Sequence, residues 1–436
     1  MSIHETVLHD HLKRKIHPSV GKERLKKALN HEQGRIPLDL GSTAVTGIHV
    51  SVLAAIRQFY GLPCEPIKIF DPYQMLGLPE SDILELIGAD IAGISSPFTM
   101  FGFENKNWKE WKTPWGQVVL VGEGFQTDEM NDGVYIYPEG DRDAPPSGRM
   151  PWNGYFFDSI IRQGPIDLDN LNVEDNLEEF GPISDIVLAS MKKQLEEIRP
   201  TGRGVIANIG GTAFGDVAIV PGPFLKHPKG IRDIAEWYMA TAAKQDFVHK
   251  VFERQLEIAL GNLQKIHETL GDEIDVVNLC GTDFGTQEST FCSPQTFRNL
   301  WHPYYKEMND WIHRHTGWKT FKHSCGAVAG FLPLFIESGF DVINPVQCSA
   351  KGMDPQTIKD AYGDQLVFWG GCVDTQKTLP FGTPEQVRSQ VWERCRIFSQ
   401  NGGYVFNTIH NIQAQTPVEN VVALFETLRK FNDTNR

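Results

Sequence analysis

Eight short runs of apolar and β-branched residues recur along the chain, and helical patterns separate most of them. Alternating strand and helix signals are typical of repeated βα units, whose strands run parallel in one sheet. Eight parallel strands are the number that closes a barrel. The predicted strands are Ile36–Leu40, Asp90–Ser95, Gly204–Ile209, Asp275–Leu279, Thr320–His323, Asp341–Asn344, Leu366–Trp369 and Tyr404–Thr408. The sequence therefore predicts an α/β fold, a (β/α)8 TIM barrel.

Helical patterns follow the later strands at the expected places. Asp246–Ile266 and Pro384–Ser399 carry apolar residues at helical spacing. Thr383 stands directly before Pro384, so that a capping residue and then a proline mark the start of the second of these helices.

Two stretches fall outside this rhythm. Residues 1–35 are charged and predict an N-terminal helical extension, and residues 105–175 predict an insertion. Within the insertion, Trp108–Tyr137 alternates in β fashion and predicts a hairpin or a small sheet, while Pro145–Gly154 and Gly164–Asn172 predict loops. Because neither a repeat nor a linker marks a boundary, we expect residues 1–436 to form a single domain.

The composition excludes several classes of partner. The chain has 41 basic and 55 acidic residues, a formal charge of −14, which argues against a nucleic-acid or anionic-membrane binder. No apolar run approaches the ~20 residues of a membrane helix, and the N-terminus lacks the apolar core of a signal peptide. The 7 cysteines are scattered, as is typical of reduced thiols. We therefore expect a cytoplasmic protein.

The most informative pair of side chains follows the fifth predicted strand. His323 and Cys325 stand two residues apart, so on an extended segment their side chains point to the same side. Imidazole nitrogen and thiolate sulfur are preferred zinc ligands, and a catalytic zinc usually takes three protein ligands. Cys372 or His410, at neighbouring strand ends, could supply the third. The alternative is that His323 is a hydrogen-bonded structural residue and Cys325 a small buried one.

Other polar residues gather at the same strand ends, where barrel enzymes place their chemistry. Asp283 is a candidate catalytic residue, as hydrogen-bonding group or general acid, although turn aspartates are equally common. Glutamine amides both donate and accept hydrogen bonds, which suits the orientation of a polar substrate. For Trp369, packing is the alternative to a contact with substrate. The candidate substrate-binding residues are Gln287, Gln347, Trp369 and Gln413.

Several motifs in a fixed order carry a family resemblance. They are GTDFGTQ with SPQTFRNLWHPYYK, then FKHSCGAV, INPVQCSAKGMDP, FWGGCVDTQ and FNTIHNIQ, and a weaker ERLKKALNHEQGRIPLDLG near the start. With these motifs the chain resembles the uroporphyrinogen decarboxylase superfamily, in particular its methyltransferase-like branch of cobalamin-dependent enzymes. The match is strongest from about Asp275 to the C-terminus.

The resemblance implies a zinc ion held by a His-x-Cys pair and a later cysteine. His323 and Cys325 match the pair. His410 stands where the thiol-methylating members carry their cysteine, so the resemblance makes it the candidate third ligand and, with Asp283, a candidate catalytic residue. Cys372, one strand earlier, could replace His410 or add a fourth ligand.

The function implied by the resemblance is zinc-dependent methyl transfer between a small methylated substrate, such as a methyl ether that is O-demethylated, and a corrinoid. The chain lacks the D-x-H-x-x-G signature of corrinoid binding, so we expect the corrinoid on a separate carrier protein that docks at the barrel mouth. The expected partners are thus this carrier and a small methyl donor or acceptor, and a homodimer stays open.

Three alternatives stay open beside it. A methylcobamide:thiol methyltransferase is disfavoured by His410 in place of cysteine. A uroporphyrinogen-type decarboxylase lacks its M-R-Q-A-G-R signature here, and the strand-end motifs hold almost no cations for a polycarboxylate substrate. A barrel that only binds a ligand is disfavoured by polar motifs at five consecutive strand ends.

Overall fold

Seven of the eight predicted strands form one parallel sheet in the computed structural model, which describes residues 20–167 and 169–434. In order across this sheet, its strands are Tyr404–Val405, Val367–Trp369, Val342–Asn344, Lys319–His323, Val276–Cys280, Gly204–Asn208 and Ile91–Ser95, and all neighbouring strands are parallel. The architecture is therefore the TIM-barrel-like α/β fold that the sequence predicts. The strands of the described residues are β1 (Ile69–Asp71), β2 (Leu76–Gly77), β3 (Ile91–Ser95), β4 (Lys109–Lys112), β5 (Val118–Val121), β6 (Thr127–Met130), β7 (Gly133–Ile136), β8 (Gly148–Pro151), β9 (Asp158–Ser159), β10 (Gly204–Asn208), β11 (Val276–Cys280), β12 (Lys319–His323), β13 (Val342–Asn344), β14 (Val367–Trp369) and β15 (Tyr404–Val405).

The eighth predicted strand, residues 36–40, lies between the two edges of the sheet without completing it. Leu38 forms an isolated parallel bridge with Phe406, whose N–H donates to the Pro37 carbonyl at 2.9 Å. On the other side, the Asp90 N–H donates to the Leu38 carbonyl at 2.8 Å. The Leu38 N–H, however, donates to the Asp90 carboxylate at 3.0 Å and not to backbone. The prediction of a regular eighth strand is therefore wrong, because a side chain takes the place of the backbone acceptor.

Most of the helices cover the outer side of the sheet, and the first lies at one of its ends. They are α1 (Val20–Leu29), α2 (Val50–Phe59), α3 (Ser81–Ile87), α4 (Asp185–Ile198), α5 (Ile234–Ala243), α6 (Gln245–Leu270), α7 (Pro294–Leu300), α8 (His302–His315), α9 (Leu332–Glu337), α10 (Pro355–Tyr362), α11 (Thr378–Phe381), α12 (Pro384–Phe398) and α13 (Val418–Thr434), with short 3-10 turns at Pro138–Gly140, Val173–Asn176, Arg199–Thr201, Gly271–Glu273 and Ala329–Phe331. Helix α12 begins with a capping box in which Thr383 and Gln386 each accept the other's backbone N–H, and Pro384 follows the cap. Helices α6 and α12 confirm the two helices predicted from periodicity.

The barrel interior forms its own apolar cluster, which is closed at one end by helix α1. Inward side chains of the large sheet pack with Leu25, Ala28 and Leu29 of that helix. The helix meets the amino ends of the strands, since the Lys22 N–H donates to the Gly202 carbonyl at 2.9 Å. Helix α1 does not cover the opposite end of the sheet, where the carboxyl ends of the strands lie. The remaining predicted N-terminal extension, residues 1–19, lies outside the described residues.

The predicted insertion contains two small antiparallel sheets. Strands β4 and β5 form a hairpin, and β6, β7, β8 and β9 form a four-stranded sheet. The predicted hairpin or small sheet is thus confirmed, but the loop predicted at Pro145–Gly154 is wrong because it contains β8. Glycine is usually a loop signal, but Gly148 lies in a strand because of packing. An added Cβ there would lie 2.7 Å from the Phe101 ring, so this strand requires a glycine.

Among the helices of residues 20–167 and 169–434, none combines the length and the apolarity needed to span a bilayer. The assignment of residues 1–436 to one domain stays a prediction.

Candidate metal centre

Three of the predicted ligands converge beyond the carboxyl ends of the strands. His323 ends strand β12, Cys325 follows it, and His410 comes after β15. One ligand atom of each lies within 4.8 Å of those of the other two. Cys325 Sγ is 3.5 Å from His323 Nε2, and the two imidazole rings have centroids 5.2 Å apart. Residues from two separate parts of the chain thus present two nitrogens and one sulfur to a single point.

Asn344, at the end of strand β13, orients the ring of His323. Its Nδ2 donates to the Trp369 carbonyl at 2.8 Å, so its Oδ1 faces His323 Nδ1 at 2.6 Å. A carbonyl oxygen only accepts, and therefore Nδ1 carries the proton. The lone pair of Nε2 is then directed towards Cys325, which is the tautomer that a metal ligand needs.

His410 reaches the group through an unusual backbone conformation. Its φ is +65°, in the left-handed region that non-glycine residues seldom adopt, and such outliers cluster at functional sites. The Asn411 N–H donates to His410 Nδ1 at 2.9 Å. Ligation through either ring nitrogen disrupts that bond, because Nδ1 would then hold either the metal or the proton. Of the three residues, His410 is therefore the least prepared to bind a metal.

Burial controls the protonation of the three groups. Desolvation, and secondarily the charge of Lys322, lowers the pKa of His323 to about 4 despite the bond to Asn344. Desolvation and the neighbouring His323 lower the pKa of His410 to about 4. Burial, with the charge of Asp283, raises the pKa of the Cys325 thiol well above its ordinary value. Both rings are thus neutral at neutral pH, and the thiol holds its proton until a cation displaces it.

Asp283 and Gln347 hold the loop that carries Cys325. Asp283 Oδ1 accepts the Cys325 N–H at 2.7 Å and lies 3.8 Å from His323 Nε2. Gln347 Oε1 accepts the Gly326 N–H at 2.7 Å. The structure therefore brings both predicted residues to the centre. Gln347 is buried and serves the loop, whereas the side chain of Asp283 is 31% exposed and also faces the mouth.

Two further candidates, Gln287 and Gln413, lie on exposed loops at the strand ends. Trp369 is fully buried in the barrel interior, edge-on to Phe321, and donates from Nε1 to Asp39 at 2.9 Å. It is a packing residue, so its prediction as a substrate contact is not supported by its position.

Cys372 is not brought to the group. It is fully buried in the core between sheet and helices, and the thiols of Cys395 and Cys348 lie near it. The two residues before it, Gly370 at φ +118° and Gly371 at φ +75°, adopt backbone conformations that favour glycine, and the thiol that follows them lies in the apolar core and not in the ligand group. Desolvation raises its pKa well above the ordinary value.

Two residues of the centre were not predicted from the sequence. Asn344 stands before a proline at a strand end, a position that carries no chemical signal of its own. Lys322 is fully buried and donates from Nζ to the carbonyls of Thr282 and His323, while Phe284 and Phe335 lie against it. In the sequence, Lys322 is marked only by its position directly before the candidate ligand His323. The ammonium joins the loop of Asp283 to the strand of His323.

The donor set fits a catalytic zinc. Two neutral imidazoles and, once the Cys325 thiol has lost its proton, one thiolate are zinc ligands by chemistry, and three ligands leave a fourth position for substrate. The hydrogen bond from His323 to Asn344 is the outer contact that usually supports a metal-binding histidine.

Comparison with known proteins agrees with this fold. A sequence profile of the family described as Uroporphyrinogen decarboxylase (URO-D) matches residues 165–431. Uroporphyrinogen decarboxylases of Coxiella burnetii strains Dugway 5J108-111 and RSA 331 / Henzerling II are each 29% identical over 92 residues, 20% of this chain and 25% of the relative. The chain thus matches about a quarter of the length of these curated relatives.

Among solved structures, a methyltransferase from Methanosarcina mazei superposes with a TM-score of 0.53 at 17% identity, over 94% of this chain and 98% of that chain. At this identity the likeness concerns the fold alone. The profile match, in contrast, covers more than half of the 436 residues and includes the His323, Cys325 and His410 positions. The chain belongs to the uroporphyrinogen decarboxylase family.

Proposed function

We propose that this protein is a zinc-dependent methyltransferase that moves a methyl group between a small methylated substrate and a corrinoid held by a partner protein. The observation that carries the proposal is the convergence of His323, Cys325 and His410 at the mouth of the barrel. The methyltransferase with a similar fold supports the assignment without naming a substrate. We place the protein in the cytoplasm, as a single barrel domain.

The zinc would be held by His323, Cys325 and His410, and it supplies Lewis acidity to the oxygen or sulfur atom from which the methyl group leaves. The chain itself does the positioning. Asn344 keeps Nε2 of His323 available, and Gln347 and Asp283 fix the Cys325 loop through its backbone N–H groups. The exposed side of Asp283, with Gln287 and Gln413 at the rim, binds and orients the polar part of the substrate.

The composition of the ligand set favours a methyl ether as donor. Two neutral imidazoles and one thiolate leave more positive charge on a zinc ion than two thiolates would. More positive charge strengthens the pull on a leaving oxygen and weakens the nucleophilicity of a bound thiol. O-demethylation is therefore the first candidate, and methylcobamide:thiol methyl transfer is the second.

Decarboxylation of a porphyrinogen is not favoured, although it is the activity after which the family is described. Such a substrate carries many carboxylates and calls for several cations. The strand-end segments 281–287, 323–326, 344–348, 369–374 and 410–413 contain neither lysine nor arginine. Lys322 is committed to two backbone carbonyls.

Metal analysis joined to a methyl-transfer assay tests the proposal. We expect one zinc per chain, lost in the His323→Ala/Cys325→Ala double variant and retained in Cys372→Ala. The protein is then incubated with a reduced corrinoid carrier and a panel of methoxylated compounds while the cobalt spectrum is followed. A spectral change that requires both protein and donor supports O-demethylation, and loss of the methyl group from a carrier that was methylated beforehand, on addition of a thiol, supports the second candidate. A metal-free protein that is fully active, or no change with any donor or thiol, would overturn the proposal.

A further inference from the structure

Lys322 places a positive charge in the interior, directly beside the candidate metal centre. The residue is fully buried. Its Nζ donates to the Thr282 carbonyl at 2.6 Å and to the carbonyl of the ligand residue His323. The rings of Phe284 and Phe335 lie against it, with centroids 5.0 and 5.4 Å from Nζ. The ammonium is therefore fixed in place, and it is bonded to one of the three ligand residues.

Asp283 is the negatively charged counterpart of Lys322 at the centre. Its Oδ1 accepts the N–H of the ligand residue Cys325 at 2.7 Å and lies 3.8 Å from His323 Nε2. Thr282, whose carbonyl accepts from Lys322, directly precedes Asp283 in the chain. Among the residues that the structure describes, Asp283 and Lys322 are thus the two charged side chains that hydrogen-bond to a ligand residue.

These two charges decide how much positive charge a bound zinc ion presents to a substrate. The imidazoles of His323 and His410 are neutral ligands, whereas Cys325 binds as a thiolate. One thiolate and the carboxylate of Asp283 together offset both positive charges of zinc. Without a further cation, the centre would keep no net positive charge to act on a substrate oxygen. The ammonium of Lys322 restores one positive charge.

We infer that Lys322 sets the charge of the centre, offsetting Asp283 so that the site attracts the negative charge that develops on the leaving oxygen. In the proposed O-demethylation, on which the inference rests, the carbon–oxygen bond breaks and the methyl group passes as a cation equivalent to the reduced corrinoid. The oxygen keeps the electron pair of that bond and then takes a proton from water. Because Lys322 is fully buried, it acts through the centre and not by contact with substrate, as a positioning residue.

The affinity of the metal-loaded protein for an anion tests the inference without an activity assay. Cobalt(II) replaces zinc, and its visible spectrum is followed during titration with azide, which is an anion, and with imidazole, which is neutral. Lys322→Gln removes the charge but keeps an N–H donor for the carbonyls. We expect the azide affinity to fall about tenfold and the imidazole affinity to change less than about twofold, because only the anion responds to the lost charge.

Lys359→Gln is the matched control. Lys359 is also buried, donates from Nζ to the Gly402 carbonyl at 2.7 Å and lies 5.7 Å from the ring centroid of Phe368, but none of these residues belongs to the ligand group. We expect this variant to change neither affinity. Equal losses for azide and imidazole in Lys322→Gln indicate a structural role, and an unchanged azide affinity indicates that the charge has no role, so either result would overturn the inference. Unfolding of Lys322→Gln under conditions where Lys359→Gln folds would overturn it as well.

A double variant tests the compensation between the two charges. Asp283→Asn keeps an oxygen for the Cys325 N–H but removes the negative charge, so Lys322→Gln/Asp283→Asn has the same net charge at the centre as wild type. We expect its azide affinity to return to within about threefold of wild type, and an affinity as low as in Lys322→Gln alone would refute the inference. If the azide results are as expected but wild type transfers no methyl group from any donor, the proposed O-demethylation has failed and the charge-setting role has not. A wild type that binds no metal would refute both.

Discussion

Asn344 Oδ1 lies 2.6 Å from His323 Nδ1 and fixes both the rotation and the tautomer of that ring. Outer contacts of this kind change metal affinity by about 10- to 100-fold when they are removed. We therefore expect Asn344→Ala to weaken zinc binding by about that factor, measured by competition with a chelator of known affinity.

The control for this variant is Asn432→Ala. Asn432 is also buried and bonds to the Ile36 backbone through both side-chain atoms, and neither residue belongs to the ligand group. Both variants lose two hydrogen bonds, so a similar loss of stability is expected. If Asn432→Ala weakened zinc binding as much as Asn344→Ala, the effect would be one of general stability and the orienting role would be refuted.

The pH dependence of zinc binding follows from the three protonation states. The pKa values of His323 and His410 are about 4, so neither ring releases a proton on binding above about pH 5. The pKa of the Cys325 thiol is raised well above its ordinary value, so the thiol must lose its proton to bind. One proton is therefore released per zinc, and affinity should rise about tenfold per pH unit between about pH 5 and 8.

Calorimetry in buffers of different ionisation enthalpy counts these protons. In Cys325→Ala the count should fall from one to none, and the residual affinity should become nearly independent of pH. Release of two protons from wild type would mean that one of the rings binds from its charged form, contrary to the buried environment described above.

The large sheet was predictable because its strands are buried on both faces. Such strands read as continuous apolar runs between turn residues, as in Gly204–Asn208 and Val342–Asn344. The segment 36–40 is also apolar apart from Asp39, but Pro37 lacks a backbone donor and the Asp90 carboxylate competes for the Leu38 N–H. Local composition carries no information about such a competing side chain, so the irregular eighth segment could not be predicted.

The candidate site was partly predictable for a similar reason. His323 and Cys325 are close in sequence, so their common side follows from strand geometry alone. The third ligand depends on local backbone conformation: Cys372 follows two glycines of positive φ and lies in the core, whereas His410 itself has a positive φ and lies in the ligand group. An asparagine such as Asn344 has no sequence pattern that marks it as part of a metal site, so its role is recognised only from its hydrogen bonds to His323 and Trp369 in the folded chain.

Replacement of Trp369 by phenylalanine tests whether this residue supports the fold or contacts substrate. The variant keeps an aromatic ring against Phe321 but removes the indole N–H that donates to Asp39. Burial raises the pKa of Asp39 from 3.8 to about 6, so between these values the folded protein holds a proton that the unfolded chain has released. The contribution of Asp39 to stability therefore falls as the pH rises through that window.

Above pH 6 the buried Asp39 is charged and depends most on its donors. We expect Trp369→Phe to lower the free energy of unfolding by about 1–3 kcal/mol at pH 8 and by less at pH 5. Denaturant titrations at the two pH values measure the difference, and substrate KM should stay at the wild-type value. A raised KM with unchanged stability would restore Trp369 as a substrate contact.

The two cysteines that the sequence left as candidate ligands, Cys325 and Cys372, form a matched pair for the last test. Cys325 has its sulfur 3.5 Å from His323 Nε2, whereas Cys372 is enclosed by the apolar core. We expect Cys325→Ala to lose most of the bound zinc with little change in the stability of the metal-free protein. Cys372→Ala should keep the zinc and lower the free energy of unfolding by about 1 kcal/mol, because it leaves a small cavity.

Zinc content after dialysis and denaturant unfolding of the metal-free proteins separate the two effects. Cys372→Ser serves as a further control, since it keeps the volume but buries a hydroxyl group, and it should also retain the metal. Loss of zinc from both Cys372 variants, with wild-type stability, would mean that the thiol turns to the mouth when the metal binds. The ligand set of two imidazoles and one thiolate, and the preference for an oxygen leaving group that follows from it, would then have to be given up.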